Sequence, residues 1–523
     1  MVELALSMFA IAGAPSAFGA ELKVPRWQPQ DFSFKSEDAQ ATPFLVDFAA
    51  TVTRPGGGSF KSLGFFDGDG VWKIRVAPDA EGAWSIETYS SAPSLNGKKV
   101  FFECVANDNP NVHGGLRIAP KHPTHFIFED GTRYFLMGYE CDWLWALDTG
   151  KDDLPTLNPF LDKLAASGFN QILLNTYAHD TGWRKGKTGP DDYGPPPLYA
   201  WGGSNDAPDH SRFNLAFWRH YDRVMEAMRR RGIIAHVMIK VYNKRVNWPA
   251  PGSPQDDLFF RWVIARYAAF PNVVWDFSKE AQNEKNSEYK NGRLRFLHDN
   301  DPYRRLITVH DDDRQYNEGR YNALLDFRCD QEAADWGVKT AEHLKQKAWP
   351  VVNVEYGYEH GPKGPDDVTY KGERKGTQDP KEICRRAWEI CMAGGYPAYY
   401  YTYTAWDVIR PQDTPPGYGY FKTLRDFFEN SNYWLMNTCG SLISEGYCLA
   451  NPGVEYIVFL NSAKPFTLKI EAAKSDLAAQ WRHPFTGQTF DGGKVANGVV
   501  TLTPPAEWGG CPVALHVSAA AGK

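Results

Sequence analysis

The sequence predicts an α/β chain: a (β/α)8 TIM barrel flanked by an N-terminal and a C-terminal β-sandwich domain. Three observations carry this. Between about residues 123 and 437, eight apolar strand-like runs appear, most of them separated by helix-like runs. On either side the chain breaks into short alternating runs punctuated by Gly, Pro and Asp, the rhythm of packed antiparallel sheets. Two of the central apolar runs, Val351–Val354 and the run from Asn272, end on glutamates, Glu355 and Glu280. A carboxylate at the end of a buried strand is costly unless it is paired or used.

The chain is taken from its start. Residues 1–20, MVELALSMFAIAGAPSAFGA, read as a signal peptide, an apolar core followed by small residues. Glu3 stands where a basic residue is usual, and cleavage after Ala20 would put Phe18 at the −3 position. The expected location is therefore secreted or periplasmic. No later run has the ~18 uninterrupted apolar residues of a membrane span, so no membrane partner is expected.

Residues 21–122 form the N-terminal sandwich. VDFAATVTRP, the turn PGGGS and the run SLGFFDGDGVWKIRVAPDAEGAWSIETYSS give short strands with turn residues between them. FFDGDG lacks the alternating acids and final Glu of a calcium loop and reads as a hairpin turn.

Residues 123–437 form the barrel. Its strand candidates are Tyr134–Gly138, Gln171–Asn175, Ile233–Ile239, Val273–Phe277, Leu306–Val309, Leu324–Phe327, Val351–Val354 and Ala398–Tyr403. LNPFLDKLAASGFN and FNLAFWRHYDRVMEAMRRRG carry helical spacing and stop at Gly168 and Gly232. PKEICRRAWEICMAGG precedes the eighth strand, and the short fifth-to-sixth link predicts a reduced helix. The alternative, a doubly wound open sheet, usually has fewer strands, and no Gly-rich phosphate fingerprint comes after the first strand. The insertion Thr181–Arg212 comes after strand two and is expected on the active face. Residues 438–523 return to β structure and show nothing catalytic.

Composition narrows the function. A net charge of −6 gives no electrostatic case for nucleic acid. Aromatic residues make up 14% of the chain, with 18 Trp and 26 Tyr. That excess suits stacking on sugar rings, and a large core accounts for many of them as well. The eight cysteines show no CxxC and no zinc spacing; Cys439 and Cys448 are close enough in sequence to bridge.

In a barrel of this type chemistry sits at the C-terminal strand ends. Those ends deliver Glu140, Asp142 and Trp143; Asn175, Tyr177 and His179; Lys240 and Tyr242; Lys279 and Glu280; His310 with Asp311–Asp313; Asp330, Gln331 and Glu332; Glu355 and Tyr356; and Tyr403, Trp406 and Asp407. Strands four and seven stand roughly across the mouth from each other. Their glutamates fit the paired carboxylates of glycoside hydrolysis, with Glu280 as general acid/base and Glu355 as nucleophile about 5–5.5 Å apart in a retaining enzyme. Substrate contacts are expected from Glu140, Asp142, Trp143, Asn175, His179, Lys240, His310, Gln331, Tyr356, Tyr403 and Trp406. Consecutive residues rarely all face one ion, so His310 and its aspartates are not read as a metal site, and no cofactor is implied. Asp276 reads as a structural partner inside strand four.

These motifs resemble a known architecture. PGGGSFKSLGFFDGDGVWKIRVAPDAEGAWSIETYS resembles the N-terminal domain of unknown function found ahead of certain bacterial glycoside-hydrolase barrels. FIFEDGTRYFLMGYE resembles the phrase that opens such barrels, and CLANPGVEYIVFLNS with WRHPFTG is similar to the C-terminal domain called collagen-binding in apiosidase-like proteins. The whole is similar to the apiosidase-like branch of retaining, clan A type glycoside hydrolases. That resemblance implies an acid/base at Glu280, where the clan has Asn-Glu, and a nucleophile at Glu355. Lys279 stands in place of the Asn that contacts the sugar 2-hydroxyl, which leaves room for a furanoside or a uronic acid.

The expected function is therefore hydrolysis of a polysaccharide or oligosaccharide, more in exo than in endo mode. A polysaccharide lyase using Lys240, Tyr242 or His310 as base is one alternative. A non-catalytic carbohydrate-binding protein on a barrel, suggested by Lys279, is the other.

Overall fold

The computed structural model describes residues 22–519 except 39–41, 181–190, 322, 362–376, 405 and 474. The expected signal peptide and the first part of the strand-two insertion lie outside the described residues.

The centre is a nearly closed barrel of nine parallel strand segments. Around the ring they run Ile307–Thr308, Val273–Lys279, Ile234–Val241, Gln171–Asn175, Gly138–Glu140, Tyr396–Tyr399, Val351–Asn353, Arg328–Asp330 and His310–Asp311. The first and last segments are consecutive in the chain, separated only by Val309. Ile307–Thr308 pairs with strand Val273–Lys279, and His310–Asp311 pairs with Arg328–Asp330. Because every pairing is parallel, all C-terminal ends open on one side. The first strand closes against the eighth at Gly138, where a Cβ would lie 2.7 Å from that of Ala398. Only glycine permits that approach.

Three strands sit elsewhere than expected. Tyr134 belongs to a small antiparallel sheet with Phe126–Phe128 and Leu116–Ile118, and the barrel strand starts at Gly138. The sixth strand is Arg328–Asp330, not Leu324–Phe327. Asp326 exchanges hydrogen bonds with Ile307, so the apolar run leads into the ring from below rather than forming it. The eighth strand is Tyr396–Tyr399 and ends four residues before Tyr403. A run rich in tyrosine has high strand propensity along its whole length, so propensity alone cannot find the stop.

Among the described residues a helix comes after each strand in the chain, from Leu157–Ala166 after the first to Gly417–Glu429 after the eighth. Gly168 and Gly232 take φ of +91° and +66° at the ends of helices Leu157–Ala166 and Leu215–Arg230, as their C-cap reading requires. The helix between strands five and six is short, Asp313–Asn317.

A seven-stranded sheet built from residues 23–105 precedes the barrel. FFDGDG forms the turn between strands Ser59–Phe66 and Val71–Val76, with Asp67 N donating to Val71 O. This unit docks through buried charge. The Arg75 guanidinium binds Asp31 and Asp222 and donates to Arg266 O at 2.7 Å, while Arg266 binds Asp222 and Asp67. Such groups tolerate burial because each has a partner. After the barrel come a six-stranded sheet and a two-stranded antiparallel sheet of Phe466–Ile470 with Gly498–Leu502. Trp388 of the barrel stacks on Phe459 of that sheet at 5.1 Å. Cys439 N donates to Cys448 O at 2.8 Å, and both thiols are free. No helix among the described residues is long and apolar enough to cross a membrane.

A polar chain crosses the barrel interior. Tyr134 OH donates to Gln171 Oε1, Gln171 Nε2 to His236 Nδ1 at 3.0 Å, and His236 Nε2 to Asp276 at 2.8 Å. Asp276 also accepts from His310 N at 2.9 Å, so this buried carboxylate fixes the start of a strand end that carries the site.

Candidate active site

The fourth strand brings two consecutive residues to the mouth. Lys279 reaches across to the first and eighth strand ends. Its ammonium is hydrogen-bonded to Glu140, lies 3.3 and 3.2 Å from the two Asp142 oxygens, and lies 3.4 Å from Tyr400 OH. Burial alone would push the Lys279 ammonium down; the carboxylates of Asp142, Glu140 and Glu355 outweigh it, so its pKa lies well above the ordinary value. Glu280 comes next with φ of +49°, in the left-handed region. That conformation is costly for a residue with a side chain and breaks the alternation of the strand. It lets Glu280 turn to the same mouth as its neighbour, where Asn243 Nδ2 donates to Oε1 at 2.8 Å and Asn283 Nδ2 to Oε2 at 3.2 Å.

Glu355 extends from the seventh strand. Its side chain is 14% exposed, and Oε2 makes no hydrogen bond. Burial pushes its carboxyl up to about 7; Lys279 opposes that rise, and the Glu280 carboxylate adds to it. The Glu280 charge therefore reaches Glu355. Asn353, in the same strand, accepts from Glu355 N and Glu332 N, bracing this end. His310 Nε2 donates to Gln331 Oε1 at 2.8 Å and stands 3.7 Å from Glu355 Oε2. Burial, then the charge of Lys279, lower the His310 pKa, so it is neutral at pH 7.

Two more side chains complete the rim. Trp406 takes φ of +72° and its indole donates to Tyr400 OH at 2.9 Å. Lys244 lies over the Trp406 ring, its pKa lowered to about 7 by burial and by the charge of Lys279.

The structure therefore gathers Glu280, Glu355, Glu140, Asp142, His310, Gln331 and Trp406. The remaining residues singled out in the sequence sit differently. Trp143 stacks on Trp145 at 4.8 Å and meets His179 edge-on at 6.2 Å, forming an aromatic wall beside Asp142. Asn175 is buried and accepts from Trp145 Nε1, so it supports that wall. Lys240 does not reach the mouth. It is fully buried beneath the helices, bound to Asp256 at 2.5 Å and to Tyr289 OH at 2.8 Å. Tyr356 is buried beside helix Pro380–Met392, whose Arg386 donates to its carbonyl. Tyr403 packs against Tyr401 and Arg410.

Sequence reading missed Asn243, Lys244, Asn283 and Tyr400. Strand three runs to Val241, which moves its end from Lys240 to Asn243 and Lys244; strand eight stops at Tyr399, which makes Tyr400 its end residue. The signal was the strand stop, and apolar periodicity does not mark it.

Two groups of side chains could hold a metal among the described residues. In His236–Asp276–Cys329 both ring nitrogens of the histidine are already hydrogen-bonded. In Asp330–Glu332–His343 the Arg328 guanidinium already binds Asp330. Neither set touches the two glutamates through a hydrogen bond among the described residues.

The family described as "Apiosidase-like, catalytic domain" matches residues 121–448, and a domain of unknown function, DUF5060, matches residues 23–91. Among solved structures, a protein from Bacteroides vulgatus ATCC 8482 provisionally named a glycoside hydrolase superposes with a TM-score of 0.79 at 19% identity, covering 95% of this chain and 100% of that one. A glycoside hydrolase family 5 protein from the same organism gives a TM-score of 0.57 at 16% identity over 79% of this chain and 94% of that one. At such identities the likeness speaks to the fold. No curated protein matches the sequence.

Proposed function

The chain belongs to the apiosidase-like family and is a glycosidase, and from that premise we propose that it is a retaining glycoside hydrolase working by double displacement. Glu280 is the general acid/base and Glu355 the nucleophile. The observation that carries this is the placement of two glutamates just past the C-terminal ends of parallel strands four and seven, on the one open side of the barrel, with Glu355 buried and within reach of the Lys279 charge. A carboxyl raised by burial beside a second carboxylate is the arrangement a paired-carboxylate glycosidase needs. Glu280 would protonate the leaving oxygen while Glu355 attacks the anomeric carbon; Glu280 would then deprotonate the water that releases the sugar.

The substrate is a polysaccharide or oligosaccharide, cleaved in exo mode. Trp406 supplies a rim face for a sugar ring, and Lys279 takes the place of a neutral amide. In this reading the ring is a (β/α)8 TIM barrel whose fifth strand is split at Val309, and the flanking sheets are β-sandwich braces. The secreted or periplasmic location is proposed on the apolar leader alone.

The lyase reading loses one of its three candidate bases, since Lys240 is enclosed in an ion pair. One observation favours a second assignment of roles. Glu355 is the carboxyl raised by burial, with an Oε2 that makes no hydrogen bond, whereas both Glu280 oxygens accept amide hydrogen bonds. Glu355 would then be the acid and Glu280 the nucleophile.

The test is a product screen of wild type, Glu280→Gln and Glu355→Gln on polysaccharides and oligosaccharides. A new reducing end without an ultraviolet-absorbing unsaturated sugar, lost ~10³-fold or more in both variants, supports the paired-carboxylate hydrolase. An unsaturated product, or undiminished variants, would sink it. Azide rescue of alanine variants assigns the roles: the acid/base variant gives a glycosyl azide of retained configuration, the nucleophile variant one of inverted configuration.

A further inference from the structure

A cavity of about 250 Å³ lies where the N-terminal sheet meets the barrel. It is lined by Trp27, Arg54 and Asp79 from the N-terminal unit, by Arg117 and Glu129 from the small antiparallel sheet, and by Tyr303, Arg304 and Arg305 from the segment entering strand five. That segment precedes Ile307, so the cavity is on the opposite side of the barrel from the two glutamates.

Two of the guanidinium groups are matched. Arg54 binds Asp79 through two parallel hydrogen bonds of 3.0 and 2.9 Å, and Arg117 binds Glu129 and the carbonyls of Leu116, Tyr303 and Arg304. Arg305 is not matched in the same way. It is 4% exposed, and its Nε donates to Ala268 O at 3.0 Å. Its Nη1 makes no hydrogen bond, and the nearest carboxylate oxygen, Glu129 Oε1, is 3.8 Å away and already engaged by Arg117. Burial lowers the Arg305 pKa, and Glu129 does not restore it. A second buried donor lines the same cavity: Trp27 is 8% exposed and its indole Nε1 has no acceptor. Arg304, exposed at the rim, adds another positive charge. Buried donors almost always find partners, and leaving a charged one without costs more than leaving a neutral one.

We propose that this cavity is a binding site for a small oxyanion, a sulfate, a phosphate or a sugar carboxylate, held by Arg305 Nη1 and Trp27 Nε1. Such a ligand offers only acceptors, as both donors require. Asp79 and Glu129 do not repel it strongly, because each is already spanned by its own arginine. Occupancy would join the N-terminal unit to the barrel floor.

The experiment titrates the full chain with sodium sulfate, sodium phosphate and sodium glucuronate, with sodium chloride at matched ionic strength as the control for screening. Calorimetry reads the affinity and thermal unfolding reads the linked stabilisation. The expected result is saturable binding of at least one oxyanion that chloride does not reproduce. Sulfate or phosphate alone would identify an inorganic anion, and glucuronate alone a sugar acid. Trp27→Phe keeps the ring and removes one donor; Arg305→Gln removes the charge. Each should weaken binding by about tenfold or more. If Arg305→Gln does not fold, Trp27→Phe decides alone. No saturable binding to wild type, or equal binding by the wild type and Trp27→Phe, overturns the site.

Discussion

Lys279 Nζ lies 3.2 Å from Asp142 Oδ2, across the barrel mouth from one strand end to another that is not its neighbour. This one ammonium balances Glu140 and Asp142 and tempers Glu355. Lys279→Asn, which restores the residue type of the resembling clan, should therefore not restore a better enzyme. It should cost about 3–5 kcal/mol, the usual penalty for stripping a buried charge of its partner. Glu355 would lose the influence that lowers its pKa, so the pH–rate profile should move to higher pH. Denaturant unfolding and kcat/KM against pH check both; an unmoved profile would remove Lys279 from the electrostatics of the site.

The pH dependence of wild type separates the two assignments of Glu355. Its carboxyl titrates near 7. As nucleophile it must be ionised, so kcat/KM should rise as pH increases through about 7. As acid it must be protonated, and kcat/KM should fall through the same range.

Stability carries the same signature with a fixed sign. The Glu355 pKa is raised on folding from 4.5 to about 7. Its contribution is fully present below about 4.5 and is lost as pH rises through 7. Glu355→Gln should then be more stable than wild type at pH 8, by up to about 3 kcal/mol, with the gap narrowing toward pH 4.5. Equal differences at the two pH values would contradict the desolvation of this carboxyl.

Lys240→Met should behave in the opposite way to a site variant. Removing the ammonium leaves Asp256 with Tyr289 OH, the Gly252 amide and Arg293 at 3.7 Å. A loss of about 3–5 kcal/mol is expected, with kcat/KM of the folded protein within a few-fold of wild type. A large loss of activity without loss of stability would return Lys240 to the chemistry.

The sequence carried the parallel barrel and the strand-end carboxylates because both depend on where apolar runs occur and on the residues that end them. Glu280 and Glu355 are legible in this way, as are His310 and Gln331. The residues that escaped depend on where a strand stops and which way its last residue turns. Lys240 and Lys279 look alike in the sequence, each a lysine at the end of an apolar strand. One turns outward to Asp256 and the other inward to Glu140, because the neighbouring helix supplies a carboxylate in the first case and the facing strand end supplies it in the second. Tyr400 was hidden inside a run of tyrosines, and Asn243 and Lys244 lay just beyond a strand that proved longer than its apolar core.

The division of the fifth strand at Val309 has a consequence for how the ring holds together. Thr308 is tied to one side of the opening and His310 to the other, so the strand acts as a clasp whose two hooks grip different edges. The His310 amide, bound to Asp276, is the pin of that clasp. Any breathing of the ring at this seam would draw His310 away from Glu355 before it disturbed the rest of the barrel. The exchange rate of that single amide with solvent deuterium would therefore report how often the clasp springs open.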